Sequence, residues 1–439
     1  GFLISSIIFR DLQGNTFSLT GFYTRRIRRI FPALILVLAT TFILGWYVLL
    51  ADEFAQFGKH MRAGALFVSN LLLWREKGYF DAMAETKPLL HLWSLGIEEQ
   101  FYIFWPLLLI LAYKRNISLF AVTLLLAVAS FALNVYGIER NSVAAFYAPY
   151  TRFWELLCGS LLAWFSFHPP RWLSRVQTTL HGGNELAALN HRSLGKRNIW
   201  GNLQAVMGAL LLVGSLLAIR PGHDFPGIWA LAPVLGTLLM IAAGPESWLN
   251  SNVLSHRWAI GVGLISFPLY LWHWPLLSLA RIMEGGLPRA DIRGGAVILA
   301  FILAWLTYHF IERPVRAAGH DRLKIGILCT LMILVGLLGH ITYKQKGFAF
   351  RLPEHPPQAL LEQITEVTRT LHSDGSCYEL LKFPMTGSTV CLANSSSPEV
   401  LIIGDSHAMA LNSAALLGRT SVKTLLLGRH GCPPLLGHS

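Results

Sequence analysis

Apolar residues run in long blocks along this chain, each near the ~20 positions a helix needs to cross a bilayer, with short basic segments between them. The blocks fall at 30–50, 99–113, 117–135, 152–167, 203–220, 228–243, 258–280, 295–312 and 324–343, and residues 1–9 read as the tail of one more. They predict a polytopic α-helical membrane bundle of about ten spans. The stretch 61–74, MRAGALFVSNLLLW, breaks the pattern, because it is short and carries Arg62, Ser69 and Asn70. It predicts a re-entrant or interfacial element.

Charge fixes the orientation. If 61–74 does not cross, the loops holding Lys114 and Arg115, Arg171 to Arg197, and Arg313 to Lys324 share one side with Arg10 and the cluster Arg25, Arg26, Arg28 and Arg29. The bias then has a single sign, as cytoplasmic loops require. Everything after residue 343 is expected outside the cytoplasm.

From Lys344 the composition shifts to Pro, Ser, Thr, Glu and His, which predicts a linker or extension over 344–390 and a soluble domain beginning at 391. A strand over Glu399–Ile403, the turn Gly404-Asp405-Ser406-His407, a helix over Ala408–Leu417 and a strand over Val422–Leu427 give the start of an α/β sheet. The residues left before Ser439 are too few to bury an α/β core. With an opening GFLISSIIF that has neither initiator methionine nor signal peptide, the sequence reads as a fragment at both ends.

Composition agrees with the pattern: 53% of residues are hydrophobic, 14% are charged, and mean hydropathy is +0.48. A formal charge of +12 raises the question of nucleic acid, but the basic residues sit in loops between spans, so the charge belongs to topology and membrane lipid. Five cysteines are few. Cys158 and Cys329 lie in apolar runs as small hydrophobes, while pairing of Cys377, Cys391 and Cys432 depends on compartment; outside the cytoplasm, Cys377 and Cys391 form a candidate disulfide.

Glu98 and Glu99, in HLWSLGIEEQFYIFWPLLL, are the most telling residues, since a charge at hydrocarbon depth must be paired or face a wet cavity. A plainer reading puts them in the first turn of a helix capped by Ser94, where they complement the dipole. The arginine cluster is either a topogenic anchor or a site for the phosphates of a cytoplasmic anionic donor. His91, Arg152, Glu155, Tyr270, His273 and Glu312 also recur in or beside apolar runs. Arg152 and Glu155, three apart, satisfy each other on one helix; Glu312 can pair with Arg313 or Arg316; Trp272 and Trp274 read as interfacial belt residues around His273. Together these groups predict a polar cavity inside the bundle. Ser406, between strand and helix, stands where a nucleophile emerges at a sheet edge, although a simple helix cap uses the same residues. No metal ligand set is read. A transporter or flippase, and a membrane-anchored esterase, remain alternatives from other classes.

TRRIRRIFPALIL, HLWSLGIEEQFYIFWPLLL, SFPLYLWHWPLL and IERPV, in this order, resemble the acyltransferase family 3 membrane proteins. VLIIGDSHA followed by CPP resembles the first block of the SGNH hydrolase-like, flavodoxin-like domain fused to many bacterial members. The resemblance implies an O-acyltransferase of the bacterial inner membrane, with a periplasmic C-terminal domain. Such a protein carries acetyl groups from cytoplasmic acetyl-CoA to hydroxyls of an envelope glycan: O-antigen, another surface polysaccharide or peptidoglycan. It assigns donor binding to Arg25, Arg26, Arg28 and Arg29, an acidic catalytic segment to Glu98 and Glu99, and the nucleophile to Ser406. His273 falls on a motif position and is taken as catalytic. An arginine and histidine of the family's first helix, and the later SGNH blocks, would lie beyond the two ends, so this stretch alone is expected to be inactive.

Overall fold

The computed structural model describes residues 1–76, 84–169, 199–220, 225–317, 321–351, 389–393, 399–404 and 424–429. The chain divides into two compact units, Gly1–Ala349 and Phe350–Ser439.

The first unit is helical: α1 Phe2–Gln13, α2 Leu19–Val48, α3 Ala51–Ala65, α4 Ser69–Arg75, α5 Leu92–Lys114, α6 Leu119–Arg140, α7 Ser142–Tyr147, α8 Pro149–Phe167, α9 Ile199–Ala218, α10 Leu231–Ala242, α11 Arg257–Met283, α12 Ala290–Thr307 and α13 Asp321–Lys344. After α12 a π-helical turn, Tyr308–Glu312, leads into a last turn, Arg313–Arg316. A helix stands on each of the ten apolar blocks. Among the described residues seven are long and apolar enough to cross a membrane: α2, α5, α6, α9, α11, the run Ala290–Arg316 and α13. Helices α1 and α10 have 12 residues each, and α8 carries Arg152 and Glu155 within its 19. Leu125, Leu216, Ile298 and Ile333 stand fully outward on α6, α9, α12 and α13. Faces this apolar are solvated by hydrocarbon, and the chain is a multi-pass membrane protein.

Two apolar cores hold the bundle. One draws Leu34, Val37 and Leu38 of α2 together with Phe54 and Met61 of α3, Leu92 and Leu95 of α5, and Leu271 of α11. The other joins Ile8 and Phe9 of α1 to Phe101, Trp105 and Leu109 of α5 and Leu157 of α8. Helix α5 belongs to both. Glu98 and Glu99 therefore fall in the gap between the cores.

The break in the 61–74 stretch is real. Helix α3 ends at Ala65, Phe67 takes a left-handed φ of 56°, and α4 starts again at Ser69. Helix α3 lies antiparallel to α13, with Gly58 against Gly339 and Ala51 against Gly347. At the far end of α13, Lys324 donates to the Ala317 carbonyl, which also accepts from Arg28. Helices α2 and α13 thus both run from the Arg28 end to the Gly347 end. Leu109 and Ala112 of α5 pack with Leu12 of α1, so α5 runs back toward the Gln13 end. The described residues between 49 and 91 lie on one half of the bundle, and Lys344 finishes at the end opposite Arg28.

In the second unit, β1 Thr389–Ala393, β2 Val400–Gly404 and β3 Thr424–Arg429 form a sheet of order β1-β3-β2. β2 and β3 are parallel, with Val400 opposite Thr424, and β1 is antiparallel to β3. A parallel pair requires a crossover, which the span from Gly404 to Thr424 is long enough to make. Strand β1 was not anticipated from the sequence. Asp405, Ser406, His407, the 408–417 helix, Cys377 and Cys432 lie outside the described residues, as does the side chain of Cys391.

Candidate active site

Helix α5 begins earlier than its apolar run suggests. His91 is the N-cap residue and Leu92 the first helical one, so Glu98 and Glu99 sit in the second turn and the first turn holds no acid. The dipole-and-cap reading fails on this point. Ser94 is inside the helix, and its hydroxyl pairs with that of Tyr270 at 2.8 Å.

Residues 91, 94, 98 and 102 repeat at three and four, so they share one face of α5. At the lower end of this seam the Arg26 guanidinium lies 4.4 Å from the Tyr102 ring centroid and 5.8 Å from that of Phe22. Glu98 and Tyr102 also lie within electrostatic reach of each other. The charges of Arg26 and Arg29 act on both Glu98 and Glu99. Glu98 is open to solvent-sized space, whereas Glu99 is buried with its Oε1 unpartnered. A carboxylate oxygen without a donor at this depth marks a place that a ligand or proton completes.

The four arginines of the cluster separate by position. Arg28 donates from Nε to the Val315 carbonyl at 3.1 Å and from Nη2 to those of Arg316 and Ala317, at 2.5 Å for the latter. It clamps the end of the α12 run to α2. Arg25 is exposed and lies 3.9 Å from Asp11. Arg26 and Arg29 are the two turned to the acids, and Arg29 makes no ion pair or hydrogen bond among the described residues. Glu312, fully buried in the π-helical turn, holds Arg316 at 2.5 Å through Oε2 and leaves Oε1 unpartnered. Arg29 acts on it electrostatically as well.

At the upper end, Tyr270, Trp274 and Ser278 of α11 stand at successive fourth positions and each donates to a carbonyl of the segment entering α5. Tyr270 donates to His91, Trp274 Nε1 to Lys87 at 2.9 Å, and Ser278 to Glu85 at 2.9 Å. The tryptophans are not belt residues: Trp272 is buried, with Nε1 bonded to the Thr307 hydroxyl at 3.0 Å. His273 Nδ1 donates to the Tyr270 carbonyl at 2.7 Å, which leaves Nε2 as the lone-pair nitrogen. The ring of His91 is 5.1 Å from Tyr270 and 5.8 Å from His273, centroid to centroid. Arg152 and Glu155 do pair, Nε to Oε1 at 3.1 Å, beneath Trp93, Phe146 and Phe225.

A charged hub escaped the sequence reading. Glu76, at the end of α4, meets Lys59 Nζ at 2.7 Å, His60 Nε2 at 3.0 Å and Lys87 Nζ at 3.2 Å, all substantially buried. Burial alone would raise the Glu76 carboxyl, but the hydrogen bonds and charges of His60, Lys59 and Lys87 outweigh it and hold the group well below the usual carboxylate range. The available signal was four ionisable groups around a stretch already read as re-entrant.

Comparison with known proteins gives the same picture. Residues 1–309 match the acyltransferase domain family, and residues 376–439 match the SGNH domain fused to such domains. An uncharacterized protein of Haemophilus influenzae is 36% identical over 55% of this chain and 93% of its own length. The putative peptidoglycan O-acetyltransferase YrhL of Bacillus subtilis is 32% identical over 73% of the chain and 49% of its own length. The peptidoglycan O-acetyltransferase OatA of Listeria monocytogenes is 30% identical over 73% and 50%. The chain thus spans about half the length of these last two. No solved structure matches. The chain belongs to the acyltransferase 3 family of membrane O-acyltransferases, with a fused SGNH domain following its helices.

Proposed function

We propose that this chain moves an acyl group, most simply acetyl, from cytoplasmic acetyl-CoA across the bacterial inner membrane to hydroxyls of a cell-envelope glycan. The observation that carries the reading is the seam on α5: two arginines facing two carboxylates at one end, and a tyrosine with two histidines at the other, between separate apolar cores. Arg26 and Arg29 suit the phosphates of a coenzyme A thioester, because a guanidinium fork binds phosphate oxygens bidentately. Glu98, open to the seam, and Glu99 and Glu312, each with an unpartnered buried oxygen, are the acids and bases nearest to such a donor.

The names of the Listeria and Bacillus relatives point to peptidoglycan as one acceptor; O-antigen and other surface polysaccharides present the same chemistry, a sugar hydroxyl. Lys344 ends opposite the Arg28 end, so an SGNH domain on the periplasmic side is compatible with donor binding on the other. In this scheme Ser406 accepts the acyl group as an ester, and the glycan hydroxyl then takes it. Feeding labelled acetyl-CoA to membranes containing the full-length protein tests the reading. Label on envelope sugars, lost in Arg26→Ala and Arg29→Ala, supports it; membranes that transfer no label refute it.

A further inference from the structure

Among the described residues, the ring of His91 has only the Leu271 carbonyl in reach of its nitrogens. It is buried, and neither ring nitrogen makes a hydrogen bond, although the Leu271 carbonyl lies alongside. The ring is nonetheless held firmly. Its own carbonyl accepts from the Tyr270 hydroxyl, and its edge meets the rings of Tyr270 and His273. A neutral imidazole presents one N–H and one lone pair, so its natural complement is a group that both donates and accepts. An alcohol hydroxyl is such a group; a thioester carbonyl or a phosphate oxygen only accepts. Along α5, His91 lies seven residues above Glu98, about 10 Å at 1.5 Å per residue. Its neighbour Leu92 lies beside Gly64 and within one core with Leu38, in the middle of α2. That is midway between the arginine end and the Gly347 end, at the depth where donor and acceptor must meet.

We infer that His91, with His273 beside it, is the acid–base site that receives an alcohol hydroxyl during acyl transfer. The inference rests on the acyl-transfer reading above and adds the residue that handles the acceptor. The hydroxyl donates its proton to the lone-pair nitrogen of His91 as its oxygen forms a bond to the thioester carbonyl carbon. The carbon–sulfur bond breaks, and the proton passes from imidazole to the departing thiolate, giving an ester and free coenzyme A thiol with no other reactant. His273, its Nδ1 fixed on the Tyr270 carbonyl, faces the pair with Nε2 free to accept a proton or orient the alcohol. The alcohol is either a serine of the SGNH domain or a sugar; the chemistry is the same.

The test uses full-length protein in membranes with labelled acetyl-CoA, comparing wild type, His91→Gln, His91→Phe and His91→Ala. We expect kcat to fall by about 10²–10⁴-fold in all three, with the KM for acetyl-CoA within about twofold of wild type. Imidazole should restore part of the His91→Ala rate, while pyrrole, of the same size but not basic, should not. His91→Phe preserves ring packing and guards against a folding defect. Near wild-type kcat in His91→Gln, or equal rescue by pyrrole and imidazole, would overturn the inference and leave a packing role or a bridging water. Wild-type membranes that transfer no label would instead remove the acyl-transfer reading itself. In a Ser406→Ala background, His91-dependent label on sugar identifies the sugar as the alcohol; loss of that label, with His91-dependent label on Ser406 in the parent, identifies the serine. Label independent of His91 in both backgrounds counts against the proposal.

Discussion

Tyr270 and His91 meet through a single hydrogen bond, from the tyrosine hydroxyl to the carbonyl of the residue that caps α5. Because Ser94 meets the same hydroxyl, one phenol on α11 fixes both the start and the first turn of the helix that carries Glu98. Tyr270→Phe keeps the ring and removes both bonds. At about 1 kcal/mol each, it should lower the melting midpoint of the solubilised protein, and it should reduce acyl transfer more than donor binding.

The arginine cluster should divide under mutation. Arg28→Ala releases three carbonyls at the end of the α12 run, so its expected effect is on stability, with a lowered melting midpoint and little change in donor affinity. Arg29→Ala should weaken donor binding by about tenfold or more, since a charge-assisted hydrogen bond contributes roughly 1.5–3 kcal/mol. Titrating both variants with a non-hydrolysable acetyl-CoA analogue separates the two outcomes. Equal losses of affinity would mean that Arg28 also serves the donor.

Glu76→Gln should be costly. Removing the acid's charge takes a counter-charge from Lys59, His60 and Lys87 at once, and breaking a buried pair from one side costs about 3–5 kcal/mol. The pH dependence has a definite sign. A carboxyl depressed by folding contributes stability that is complete above its unfolded pKa of about 4.3 and lost as pH falls toward its folded value. The midpoint difference between wild type and Glu76→Gln, followed by thermal denaturation, should therefore persist at pH 5–8 and shrink only below about pH 4. A difference that fades between pH 8 and 6 would contradict the assignment.

Gly96 is where the broken helix docks on α5. A Cβ there would stand 2.9 Å from Asn70 Oδ1 and 3.1 Å from the Phe67 carbonyl oxygen. Neither can move freely, because Asn70 and Gln100 exchange reciprocal amide bonds and Gln100 also donates to Phe67 at 2.9 Å. Gly96→Ala should cost about 1–3 kcal/mol by overpacking, despite alanine's better helix propensity. An unchanged melting midpoint would show that the α4 break is not fixed by this contact.

Much of the bundle was legible because hydrocarbon imposes a long apolar period, and the ten helices stand where that period runs. The break at 61–74 was legible for the converse reason: Arg62, Ser69 and Asn70 interrupt it. The helix start at His91 was hidden because the capping residue in HLWSLG, Ser94, points to a later start, and what fixes that end is a tyrosine 179 residues away. Partners on other segments likewise hid the true roles of Trp272 and Trp274, which bond a threonine and a backbone carbonyl, whereas the Glu76 hub joins groups only 11 and 17 residues away and went unread because Lys59 and Lys87 looked like ordinary loop charges. Arg28 looked equivalent to its neighbours in TRRIRR, and only the arrival of residues 315–317 distinguishes it. The two strands of the α/β start followed from VLIIG and its successor run; β1, TVCLA, is as long as VLIIG but straddles the boundary read as the end of a linker.

Sealed inside-out membrane vesicles test the central claim most directly. With the full-length protein present, labelled acetyl-CoA is supplied only outside, on the face of the arginine cluster, and a glycan acceptor is trapped only inside. The account requires label on the enclosed glycan, abolished by Arg26→Ala and Arg29→Ala together, with the membrane intact throughout. Label appearing only when donor and glycan share one side would contradict transfer through the bundle.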